Sequence, residues 1–207
     1  MNTKAIAISM SIAATFALAG CATTPAASVV SESTAPQASQ PDAPTAAPAA
    51  PAAPVTAADV YASLPVPAGA SADAALAWEA LLGPEGEYAA AASYQAVLNT
   101  FGTVEPYATI YRQELKHIDA LIRQLDRYGI TAPANPYLTV VTAPADLLTA
   151  ATAWADGEIA NVAMYDNLIA ASTDSRLTGV LQNLRDASLN SHLPLFQQAV
   201  ANGGTTA

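Results

Sequence analysis

Four stretches of this sequence carry core-type residues at alternating spacings of four and three, and every stripe includes an ionisable side chain. The first stripe runs Glu87, Ala91, Tyr94, Leu98, Phe101, and the second Tyr107, Ile110, Glu114, His117, Leu121, Tyr128. The third is Leu147, Ala151, Trp154, Glu158, Asn161, Tyr165, Leu168, and the fourth Leu177, Leu181, Leu184, Ser188, His192, Leu195, Ala199. This period places one face of an α-helix against a core. It predicts long helices over residues 84–101, 104–128 and 144–171, and a fourth beginning at a cap on Asp174. A short helix over 72–82 precedes them, and no strand is expected. Gly83-Pro84, Gly102 and Gly129 punctuate the pattern, and Pro194 predicts a bend just after His192. Residues 130–141, with Pro133 and Pro136, are too irregular for a helix and long enough to cross a bundle end or run along its side. The expected fold is all-α: a four-helix bundle over residues 71–207, with a short extra N-terminal helix and a crossover between the second and third long helices.

Three glutamates and two histidines on inward stripes need a physical cause. A lone buried carboxylate costs several kcal/mol even after relaxation, and three together repel unless protonated, paired or bound to a cation. The basic side chains of this region lie off the stripes: Arg112, Lys116, Arg123 and Arg127 on the second helix, Arg176 and Arg185 on the fourth. A metal ion is the simplest neutraliser, which makes Glu87, Glu114, His117, Glu158 and His192 candidate ligands. Carboxylate oxygens and imidazole nitrogens suit iron or manganese, and also zinc. Tyr94 and Tyr165 are candidate donors that orient the carboxylates, with core filling as the simpler reading; Asn161 and Ser188 are further neighbours of the candidate ligands. Trp78 and Trp154 read as packing residues, and Glu105, Asp119, Asp126 and Asp186 as a solvated face.

The first seventy residues read differently. Lys4 precedes an uncharged apolar run over residues 5–19, too short for a spanning helix, and Leu18-Ala19-Gly20-Cys21 follows. The one cysteine of the chain rules out an intrachain disulfide framework and a cysteine-rich metal cluster. Residues 22–70 hold nine of the fifteen prolines and only three charges, Glu32, Asp42 and Asp59. Such a stretch reads as an extended tether; Val60, Tyr61 and Leu64 are the one apolar group within it suited to docking. Seventeen acidic against seven basic residues give a formal charge of −10, which argues against nucleic acid as a partner.

Leu18-Ala19-Gly20-Cys21 resembles the lipobox of bacterial lipoprotein signals. That resemblance implies removal of residues 1–20, acylation of Cys21, and an extracytoplasmic protein anchored to a membrane; Ala22 after the cysteine resembles sorting to an outer membrane. From about residue 71 to residue 200 the chain resembles the ferritin-like superfamily, in particular a bacterial ferritin-like family of uncharacterised function. The resemblance is carried by Glu87 seven residues before Tyr94, by Glu114-Leu115-Lys116-His117, by Glu158 in Gly157-Glu158-Ile159-Ala160-Asn161, and by the segment around His192. It implies one or two metal ions in a helical bundle, redox-active toward oxygen or peroxide if iron or manganese is bound. In the full pattern a second Glu-x-x-His supplies a fourth carboxylate; here position 189, three before His192, is leucine. The alternative from a different class is a non-catalytic envelope lipoprotein whose bundle is an interaction module for a protein partner or a second copy. A hydrolase is disfavoured, because Ser188 and His192 have no acidic orienter at hand.

Overall fold

The computed structural model describes residues 55–206. The signal segment, Cys21 and the tether up to residue 54 lie outside the described residues. All regular structure among the described residues is helical. The elements are α1 (Ala57–Ala62), α2 (Ala72–Leu82), α3 (Glu87–Phe101), α4 (Tyr107–Arg127), α5 (Leu147–Ala171), α6 (Ser175–Ala187) and α7 (Leu193–Ala201). A 3-10 turn (Pro136–Thr139) lies between α4 and α5, and a π-helical turn (Ser188–His192) joins α6 to α7. No described helix is long and apolar enough to cross a membrane.

The short helix over 72–82 forms where the periodicity puts it, capped by Ser71, whose hydroxyl accepts from the Ala74 amide. The first long helix begins at Glu87 rather than 84, because Gly86 serves as its N-cap and the preceding residues form a turn. A side chain at Gly86 would force the backbone to shift, since a Cβ there would stand 2.8 Å from the Ala80 carbonyl oxygen. Helix α4 likewise starts three residues late, at Tyr107, and α5 starts at Leu147 after the Asp146 carboxylate accepts from the Thr149 amide. Asp174 caps α6 as expected, accepting from the amides of Arg176 and Leu177.

The final stretch of the expected tether, residues 55–70, is built into the folded unit. Thr56 and Asp59 form a reciprocal capping box that starts α1, and Val60 is buried against the main core. Trp78 of α2 donates its indole N–H to the Leu64 carbonyl at 3.2 Å, so the folded unit begins near residue 55. Alanine and proline content concealed this short helix; its apolar contacts are long-range.

The expected crossover runs along the side. Tyr88 donates to the Pro133 carbonyl at 2.9 Å, Asn135 donates to the Tyr88 carbonyl at 2.8 Å, and Tyr137 donates to the Leu82 carbonyl. These bonds lash residues 133–137 to α2 and α3.

Buried apolar residues form two clusters. The larger joins α2, the start of α3, the second half of α4 and α6, with Trp78, Leu81, Leu121, Leu125, Leu177 and Leu181 at its centre. The smaller gathers Tyr94, Val97, Tyr107, Ile110, Ala150 and Phe196, with Trp154 packed against it. Between the two sets of positions on α4, α5 and the α6–α7 pair stand Glu114, Glu158 and His192.

Candidate metal centre

Each candidate ligand reaches the interior because its stripe faces a neighbouring helix. Glu87, Glu114, Glu158 and His192 are 3%, 2%, 1% and 0% exposed. His117, whose side chain is 15% exposed, is the member of the group that reaches solvent. Two overlapping triads result, Glu87 with Glu114 and His117, and Glu114 with Glu158 and His192, each with ligand atoms within 4.8 Å of one another. Glu114 belongs to both.

Its two oxygens divide the histidines. Glu114 Oε2 lies 2.9 Å from His117 Nδ1, and Glu114 Oε1 lies 3.1 Å from His192 Nδ1. His117 Nδ1 is also 3.5 Å from Glu87 Oε2, and His192 Nδ1 is 3.5 Å from Glu158 Oε1. The imidazole rings stack with centroids 5.6 Å apart. His192 Nδ1 is close to two carboxylates yet aligned for a hydrogen bond with neither, and Glu87 Oε2 and Glu158 Oε2 are likewise buried without a partner. Orphaned buried polar atoms each cost about 1–3 kcal/mol, and these three lie among donors that could hold a cation.

One oxygen each of Glu87 and Glu158 is held by an exchange between α3 and α5. Tyr94 of α3 donates to Glu158 Oε1 of α5 at 2.7 Å, and Tyr165 of α5 donates to Glu87 Oε1 of α3. In both helices the tyrosine stands seven residues after the glutamate, two turns along the same face. Tyr94 and Tyr165 therefore hold the carboxylates as well as filling the core. Burial, reinforced by the facing carboxylates, pushes both phenols well above the ordinary tyrosine range, so they remain donors.

Without a cation the cluster balances its charge with protons. Burial, and then the Glu114 charge, push Glu87 up to about 8. Burial opposes a charge on the histidines, but contacts with Glu114 and Glu87 raise His117 to about 10, and contacts with Glu114 and Glu158 raise His192 to about 9. Burial also works against an ionised Glu114, yet its close contacts with Glu87, His117 and His192 hold it well below the usual carboxylate range.

Two expected neighbours do not join. Asn161 is buried one turn beyond Glu158, and Ser188 is 3% exposed, but among the described residues neither hydrogen-bonds to a cluster carboxylate. Ser188 has another significance. Within the π turn the chain takes one extra residue per turn, so Ser188, four before His192, is buried while Leu189, three before it, is 37% exposed. The inward position before His192 is therefore Ser188, as its stripe predicts, and not Leu189. Pro194 follows two residues after His192 at the start of α7; lacking an N–H and crowding the carbonyl four residues back, it favours the widened turn.

One residue of the centre carries no periodic signal. Gln113, half-buried on the flank of α4, places Oε1 2.7 Å from His192 Nε2. A lone glutamine beside Glu114 gave no reason to expect that contact; only the tertiary approach of the π turn to α4 reveals it.

Comparison of the chain with protein-family models, with curated proteins and with solved structures finds no match.

Proposed function

We propose that this chain is a lipid-anchored, ferritin-like metalloprotein of the cell envelope, whose helical domain holds one or two transition-metal ions between Glu87, Glu114, His117, Glu158 and His192. One observation carries the reading: Glu87 Oε2, Glu158 Oε2 and His192 Nδ1 are buried, unpartnered and gathered around Glu114. Three carboxylates and two imidazoles suit iron or manganese, and zinc fits the same donors. Bound iron or manganese would supply redox chemistry toward oxygen or peroxide. The chain's part is positional: Tyr94 and Tyr165 fix the outer carboxylates, Glu114 is shared, and apolar clusters on either side keep water out. The four-helix, ferritin-like architecture is supported by the Glu-x-x-His of α4 and by four long helical segments converging on one cluster. The anchor is supported by Leu18-Ala19-Gly20-Cys21.

A second reading is favoured by the same charges. The pairs Glu114–His117 and Glu114–His192 let protons replace a cation, and Ser188 leaves the centre one carboxylate short. On that reading the domain is a metal-free interaction module for an envelope partner. The full chain carrying Cys21→Ser, purified without chelator and without a metal-binding tag, decides between them by metal content per chain. Near-stoichiometric iron, manganese or zinc, lost in Glu114→Ala, whose carboxylate belongs to both triads, supports the metalloprotein. A folded chain that stays empty after reconstitution with all three ions sinks it.

A further inference from the structure

We infer that the two halves of the centre are unequal, with Gln113 as the positioning residue that makes the Glu158–His192 half the first to take an ion and leaves the Glu87–His117 half exchangeable. This rests on the metal-binding reading above.

The asymmetry lies in what holds each histidine. A glutamine Oε1 can only accept, so at 2.7 Å it takes the hydrogen of His192 Nε2. The neutral ring then keeps its lone pair on Nδ1, the atom 3.1 Å from Glu114 Oε1 and 3.5 Å from Glu158 Oε1. Tautomer and ring orientation are thus set by a residue that is not itself a ligand. Glu158 is fixed independently by Tyr94 at 2.7 Å. Glu158 and His192 are 1% and 0% exposed, so little freedom remains to be lost when an ion binds.

His117 is held differently. Its Nδ1 is placed by Glu114 at 2.9 Å and Glu87 at 3.5 Å, which are the very groups an ion would claim. Among the described residues its Nε2 has no hydrogen-bond partner, and its side chain is 15% exposed against 0% for His192. Ion entry at this half must reorient a ring that nothing outside the ligand set holds. Because Glu114 is common to both halves, the first ion fixes Glu114 for the second.

The test is a cobalt(II) titration of the full Cys21→Ser chain, stripped of metal and followed by visible absorption, together with a crystal grown at one equivalent of cobalt and examined by anomalous scattering. The expected first ion lies against Glu158 and His192. His117→Ala should keep the tight step and lose the weak one, whereas Gln113→Leu should weaken the tight step by about 10–100-fold. Gln113→Glu, which still accepts from Nε2, should restore it. A first ion against Glu87 and His117, loss of the tight step in His117→Ala, or an unchanged tight step in Gln113→Leu overturns the inference. The single-equivalent crystal of the unsubstituted Gln113 chain keeps this answerable if Gln113→Leu fails to fold. A chain that takes up no cobalt at all removes the metal-binding reading itself, an outcome distinct from ions entering in the wrong order.

Discussion

Tyr94 and Glu158 are joined by a 2.7 Å hydrogen bond between α3 and α5, and Tyr165 and Glu87 form the reverse bond between the same two helices. The pairing couples helix docking to carboxylate orientation. Tyr94→Phe keeps the ring among Trp154 and Phe196 but leaves Glu158 without its donor. The expected loss is about 1–3 kcal/mol of unfolding free energy in the metal-free chain, read by urea denaturation. A Tyr94→Phe variant as stable as the parent would mean that this bond carries no weight.

Glu114 is the residue on which both triads depend. Glu114→Gln preserves volume but removes the charge that faces both imidazoles. Bound metal should fall to a small fraction of the parent value by elemental analysis. Glu105→Gln, on a half-buried carboxylate near Arg112 at the α4 entrance, should leave metal content unchanged.

Metal-free stability should fall as pH rises. Glu87, His117 and His192 all have folded values above their ordinary ones, so each contributes stability that is complete below 4.5 for Glu87 and 6.5 for the histidines. That contribution is lost as pH passes through about 8 for Glu87, about 9 for His192 and about 10 for His117. Metal uptake should show the opposite trend, tightening over the same window and releasing protons near neutrality. Denaturation in the presence of chelator, repeated across this range, checks the first trend; calorimetry in buffers of different ionisation enthalpy checks the second.

At acid pH two surface carboxylates join Glu114, which is also held low, in setting stability. Asp73 accepts from Thr173 Oγ1 at 2.7 Å, the Thr173 amide at 2.8 Å and Ser172 Oγ at 3.0 Å, tying the start of α2 to the α5–α6 turn. Asp174 accepts from Tyr128 at 2.9 Å and Arg127 at 3.0 Å while capping α6. Both carboxyls are held below their ordinary value, Asp73 chiefly by the Thr173 hydroxyl and Asp174 chiefly by the Tyr128 hydroxyl. Their contribution is present above the ordinary value of 3.8 and is lost as pH falls through the lowered ones. Asp174→Ala should lower the melting temperature at pH 7 by roughly 2–4 °C, measured by scanning calorimetry.

Anchoring is open to a direct check. Wild-type chain expressed in a bacterium that processes lipoproteins should sediment with membranes, and Cys21→Ser should move it to the soluble fraction. Equal partition of the two proteins counts against acylation at Cys21.

The sequence was readable where one periodicity governed a long stretch. Glu87, Glu114, Glu158 and His192 announced themselves because charge on an apolar stripe violates helical patterning, and all four are buried. Reading failed where the period itself changed. The stripe placed Ser188 inward and Ser188 is buried, but nothing in the pattern announced the π turn that carries Leu189, three before His192, out to 37% exposure. It failed as well where a contact crosses between helices from an unpatterned flank, as with Gln113, and where a six-residue helix hides in alanine and proline, as with α1. The late starts of α3 and α4 have a local cause in Gly86 and Pro106, which stand at their N-caps.

The cluster lies between two apolar regions that share helices and otherwise meet at Tyr111, which packs against both. A protein built in this way has a seam. Cooperativity between its halves then depends on how well an ionic layer is satisfied, and an ion that compensates that layer acts as a rivet. Amide exchange should register the difference as one opening unit with metal bound and two opening units without it.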